Sequence, residues 1–131
     1  MYKIFGWLNV FFIFIMLFPI VFRSLNNRYF KERQGSFLRF ISSMRKLHKP
    51  LGYVLFVSAV THGFLALGSL RLHTGTILGI IVVITSIFGM VFYAVKNKWV
   101  VNIHKAFAYI LIFLLLIHLI LPSAVYYLLG L

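Results

Sequence analysis

Four apolar runs, Ile4 to Phe22, Leu51 to Leu70, Thr76 to Val95 and roughly Val100 to Leu121, are each long enough to cross a bilayer and nearly free of charge. Backbone in hydrocarbon must satisfy its own hydrogen bonds, so such a chain can form helices or a closed barrel. None of the runs alternates as a barrel strand does, and their unbroken Leu, Ile, Phe and Val favour helices. The expected fold is an all-α membrane protein: one domain over 1–131, built as a four-transmembrane-helix bundle. With 63% hydrophobic residues, a soluble core has no means of hiding this much apolar surface. The first run reads as a retained helix, because Arg23-Ser24-Leu25-Asn26 follows it without a small-residue cleavage pattern. Within that run Asn9 is the one strongly polar side chain, free to pack on the bundle or to face lipid.

Charge orients the four spans. The side shared by both termini and the second connection holds Lys3 and Arg71. The opposite side holds eleven basic residues: Arg23, Arg28, Lys31, Arg33, Arg39, Arg45, Lys46, Lys49, Lys96, Lys98 and Lys105. The positive-inside rule then puts both termini outside a bacterial-type cytoplasmic membrane and the basic connections inside. The net charge of +12, with Glu32 the sole acid, is explained by this topology and by anionic lipid headgroups, so nucleic acid is not an expected partner. Between the first two spans, Phe37, Leu38, Phe40, Ile41, Met44 and Leu47 follow helical spacing beside basic Arg39, Arg45 and Lys46. That pattern predicts a cytoplasmic amphipathic segment before the second span, lying on the membrane surface or docking a soluble partner. Trp7, Trp99, Tyr2, Tyr126 and Tyr127 sit near span ends, as interfacial aromatics do.

The chain has no cysteine, which removes disulfides, iron–sulfur clusters, thiol catalysis and covalent haem attachment. Its spans hold no Asp, Glu, Lys or Arg at depth, which leaves no carboxylate relay or charge-based ion path. Histidine is what remains inside the bilayer. His48 and His62 are fourteen residues apart, as are His104 and His118. Fourteen helical residues advance about 21 Å and return to within about 40° of the starting direction, so each pair shares one helix face. The second and fourth spans run in the same direction, so equal offsets mean equal depths. His48 comes level with His104 on the cytoplasmic side, and His62 with His118 toward the outside.

The stretches HKPLGYVLFVSAVTH and HKAFAYILIFLLLIH, each bounded by its two histidines, share His-Lys-x-x-x-Tyr-x-Leu, six residues, then His. Two level imidazoles suit the two axial positions of a haem iron, giving two non-covalent haem b groups that exchange electrons and leave no catalytic side chain to assign. Lys49 and Lys105 follow the cytoplasmic ligands as candidate propionate partners or as ordinary interfacial lysines. Arg71 and His73 occupy the short outer loop as candidate partners of the outer propionates; for His73 an exposed loop position is the plainer reading. Tyr53 and Tyr109 lie off the ligand face and are expected to serve bundle packing. Gly52, Gly63, Ala59 and Ala66, with Gly75 and Gly79 in the third span, suit either close approach of a macrocycle or ordinary helix packing. Pro50 should start or kink the second span. Zinc or copper ligation and a purely structural membrane anchor are the competing readings, though two imidazoles per level leave a four-coordinate ion incomplete.

Two histidines across one helix and two across another, with His-Lys-x-x-Gly-Tyr opening the first, resemble the ferric-reductase-like transmembrane domain from about His48 to His118. The resemblance implies that His48, His62, His104 and His118 take the haem-ligand roles. The small four-helix cytochrome b561 group, including superoxide oxidase, is similar in architecture. Family members usually have further spans or a cytosolic flavin and nicotinamide domain, and no Gly-rich dinucleotide fingerprint occurs here. The implied function is therefore electron transfer across the membrane from a separate flavoprotein or quinol donor to an external acceptor. Superoxide-to-quinone oxidation is the reverse alternative. Oligomeric state is not encoded in any feature of the sequence.

Overall fold

The computed structural model describes residues 1–31, 35–67 and 73–129. Helix α1 covers Tyr2–Leu25, α2 Ser36–Leu67, α3 Thr74–Val95, α4 Lys98–Ile120, and a short α5 Ala124–Leu129. Three helical segments, Tyr2–Tyr29, Thr74–Val95 and Lys98–Ile120, are long and apolar enough to cross a membrane. The expected second span falls in the C-terminal half of α2, with its last residues, 68–70, outside the described residues.

The helices form two antiparallel hairpins, α1 on α2 and α3 on α4, joined along α2 and α3. α2 and α4 have no comparable packing, although they carry the paired histidines. The core lies at mid-height and draws on all four long helices: Val10 and Ile13 from α1, Leu55 from α2, Val82 from α3, Leu111 and Leu115 from α4. Leu55 and Leu111 are the leucines shared by the two histidine-bounded repeats, each seven residues from both of its histidines. Seven residues rise about 10.5 Å and stay near one face, so these leucines form a packed layer midway between the two histidine levels. Outward side chains such as Trp7, Phe11, Phe14, Phe64, Phe113 and Ile120 are exposed and apolar, the surface a lipid-facing helix requires. Asn9 turns inward and is buried, as is Ser58 on α2; Asn9 Oδ1 and Ser58 Oγ have no hydrogen-bond partner.

Two local expectations need correction. The amphipathic segment 37–47 is helical, but it is neither separated from the second span nor laid out as an independent surface helix. It is the first part of the 32-residue α2, which passes through Pro50 without ending. Its apolar face packs along the end of α1, where Phe37 meets Phe22 at 6.0 Å, Phe40 meets Phe18 at 6.2 Å, and Ile41 is buried. Contact of Phe37 with Phe22 and burial of Ile41 favour a continuous helix despite the backbone hydrogen bond that a helical proline removes. α1 likewise runs through Pro19 and extends by a π-helical turn, Asn26–Phe30, closed by left-handed Lys31. The second correction concerns Tyr53 and Tyr109, which are half-exposed and exposed and so do not build the core.

The α3–α4 turn is short. Lys96 ends α3 in the left-handed region at φ 52°, and Asn97 caps α4 by accepting the Trp99 N–H at 2.8 Å. Phe88 and Phe107 stack across this hairpin at 5.7 Å.

Candidate histidine sites

His48 and His104 meet across the gap between α2 and α4, their ring centroids 6.1 Å apart and their planes at 83°. This is the level pairing expected from the spacing. Two imidazoles holding one metal between them through nitrogens about 2 Å away would have ring centres about 6 Å apart.

On the other level His118 is adjacent to His73, at 6.0 Å and again 83°. His62 lies within electrostatic range of His118, and among the described residues no ring contact joins the two. The second level therefore gathers three histidines, and the partner of each Nδ1 sorts them. His62 Nδ1 faces the Tyr2 carbonyl at 2.8 Å, and His104 Nδ1 faces the Thr85 carbonyl at 2.9 Å. A carbonyl only accepts, so both Nδ1 atoms carry the proton and leave Nε2 bare. His118 Nδ1 lies 2.9 Å from Thr74 Oγ1, whose hydroxyl donates to the Pro122 carbonyl, so His118 also donates from Nδ1. His73 is the opposite case: its Nδ1 accepts the Gly75 N–H at 3.2 Å as the N-cap of α3. In its neutral form its proton sits on Nε2, and it presents a donor where the others present a lone pair. The Met16 backbone faces His48 from α1.

Each of these supports comes from the helix antiparallel to the one bearing the histidine. Tyr2 and Met16 on α1 serve His62 and His48 on α2; Thr74 and Thr85 on α3 serve His118 and His104 on α4. Tyr2 and Met16 are themselves fourteen residues apart, the histidine spacing read in the opposite chain direction. Glycines complete the seats. A Cβ on Gly6 would stand 3.0 Å from His62 Cε1, one on Gly75 3.0 Å from His118 Cε1, and one on Gly89 3.2 Å from His104 Cε1. Gly75 and Gly89 are again fourteen residues apart. Gly6 and Gly89 sit four residues beyond Tyr2 and Thr85, so a side chain there would cover the carbonyl that the imidazole must reach.

Gly63 and Gly79, by contrast, have nothing within 4 Å of an added Cβ, and Gly52 meets only the Met16 methyl at 3.7 Å. The close-approach role expected of them belongs instead to Gly6, Gly75 and Gly89. Lys49 points its ammonium over the Tyr93 ring, 3.8 Å from the centroid, and Lys105 is exposed. Arg71 lies outside the described residues. Among the described residues no three His, Cys, Asp or Glu side chains gather into a site for a bare metal ion. Comparison with protein-family models, with curated proteins and with solved structures finds no match to this chain.

Proposed function

We propose that the chain is a dihaem b-type cytochrome that carries electrons across a membrane. In this reading α2 completes a four-span bundle with both termini outside. His48 and His104 would hold one haem on the cytoplasmic side, and His62 and His118 a second on the outer side. The observation that carries it is the repeated imidazole seat: His62, His104 and His118 each have Nδ1 engaged by an acceptor on the antiparallel helix, a glycine clearing the ring, and Nε2 left for a metal. Ligating histidines characteristically donate their second nitrogen this way, which fixes tautomer and ring direction. The 6.1 Å separation of His48 and His104 suits two ligands on one iron, and a haem iron needs only two protein ligands where zinc or copper needs more.

Bound haem supplies a one-electron carrier; the chain supplies position and surroundings. With two imidazoles at each level, the chain would leave a bound haem no open position for oxygen, which suits transfer rather than catalysis. The buried Leu55 and Leu111 put an apolar layer between the two levels. His73 is placed to donate from Nε2 beside His118, the behaviour expected of a partner for a propionate. A separate flavoprotein or quinol would deliver electrons, and an external acceptor would take them, as in the ferric-reductase-like or cytochrome b561-like domains that the sequence resembles.

Purification in detergent, oxidised and dithionite-reduced visible spectra and a pyridine haemochrome assay test the reading. Two haem b per chain are expected. Absence of haem b after expression with ample haem supply overturns it.

A further inference from the structure

The other face of the α2–α3 contact carries a different chemistry. Ser42, Arg45, Lys46 and Lys49 lie at helical spacings of three and four, and with Pro50 and Tyr93 of α3 they line a cavity of about 430 Å³. Arg45 and Lys49, four residues apart, are like charges on one face, which repel unless an anion lies between them. The described residues include no Asp or Glu, so nothing among them neutralises this group. The Lys49 ammonium is held over the exposed Tyr93 ring, two residues from the end of α3. A tyrosine at the end of a membrane-crossing helix marks headgroup depth. From that rim the exposed apolar residues Met90, Val91 and Ile87 run along α3 away from the charges.

We propose that this cavity binds the headgroup phosphate of an anionic glycerophospholipid, with Arg45, Lys46 and Lys49 as the cationic ligands and Ser42 as a hydroxyl donor. The acyl chains lie along the apolar flank of α3. Basic pockets between transmembrane helices at the membrane boundary suit this chemistry. The lining of the cavity comes from α2 and from Tyr93 of α3 and includes neither His48 nor His104.

The full chain is reconstituted in phosphatidylcholine vesicles doped with phosphatidylglycerol, extracted in mild detergent, and its retained lipids are counted by native mass spectrometry. Preferential retention of phosphatidylglycerol is expected. In R45Q/K46Q/K49Q that preference falls about tenfold or more, since each cation near a headgroup adds to the attraction. R23Q/R28Q, which removes two cations outside the cavity, keeps it. Single substitutions giving graded losses, with helical circular dichroism retained, secure the result should the triple variant fold poorly. Equal retention of both lipids, or equal loss in R23Q/R28Q, overturns the site. Displacement of phosphatidylglycerol by inorganic phosphate overturns the lipid assignment, because the cavity then takes the ion alone.

Discussion

The two hairpins solve one problem with different materials. In α1–α2 the Tyr2 backbone carbonyl of the first helix holds His62 of the second, and the Met16 backbone faces His48. In α3–α4 the holders are the Thr85 carbonyl and the Thr74 hydroxyl. The hairpins also differ in reach. α1 with its π-helical turn runs 29 residues, about 43 Å, and α2 runs 32, about 48 Å, against 22 and 23 residues in α3 and α4, about 33 and 35 Å. A hydrocarbon core is about 30 Å thick, so α3 and α4 are little longer than that thickness, while α1 with its turn and α2 exceed it by a third or more. The shared part is the imidazole seat. The unshared part is the extra length of α2, from which Ser42, Arg45, Lys46 and Lys49 line the cationic cavity.

If the seats are equivalent, removing one ligand from either hairpin should have the same large consequence. His104→Ala and His62→Ala are each expected to lower haem from two per chain to one, read by pyridine haemochrome, with the remaining centre unchanged in its reduced spectrum. Loss of both haems from one substitution, or of neither, breaks the equivalence of the two levels.

The hydroxyl in the α3–α4 hairpin offers a finer cut that a backbone carbonyl does not allow. Thr74→Val removes the acceptor for His118 Nδ1 and the donor to the Pro122 carbonyl while keeping side-chain volume. Loss of such an outer partner typically weakens a metal site by about 10–100-fold. Haem titration of the apoprotein should show that loss at one centre only. Full-affinity binding at both would remove Thr74 from the seat.

How much of this was readable beforehand differs between the hairpins and the seats. Four long apolar segments, antiparallel order and the level of His48 with His104 follow from charge-free length and a fourteen-residue spacing. The supports were harder to see, because a backbone group such as that of Tyr2 or Met16 carries no residue signature. Gly75 and Gly89 did carry one, repeating the histidine interval on the neighbouring helix, but a glycine inside an apolar helix has several uses. For 37–47 the pattern of Phe37, Phe40 and Ile41 specifies an apolar face and not its partner, and the structure sets Phe18 and Phe22 of α1 against it. His73 could not be sorted from the ligands by type. What separates it is the N–H of Gly75, a donor set against its Nδ1.

The glycines give the third comparison. Gly6→Ala places a Cβ 3.0 Å from His62 Cε1, tighter than nearly all packed contacts, so the imidazole must give by a few tenths of an ångström. Overpacking of this kind costs about 1–3 kcal/mol. Gly63→Ala on α2 meets nothing within 4 Å and should leave haem affinity unchanged. Haem titration of the two variants side by side separates a seat glycine from an ordinary one, and equal effects would deny the distinction.

The smallest expected effect sharpens the His62/His118 level, where His118 has two histidine neighbours while, among the described residues, His48 and His104 have one another. His73→Gln keeps a hydrogen-bond donor but discards the imidazole, and His73→Phe discards the donor while keeping a ring. If His73 acts by donating from Nε2, neither variant changes the number of haems. His73→Phe should then move the midpoint potential of the outer centre alone, with His73→Gln close to the parent. Hydrogen bonding around the site is among the levers that set such potentials, so potentiometry with visible detection reads the change directly. If His73→Phe instead removes a haem that His62→Ala retains, then His73 rather than His62 is the partner of His118. The 6.0 Å ring separation would then have the same meaning on both levels.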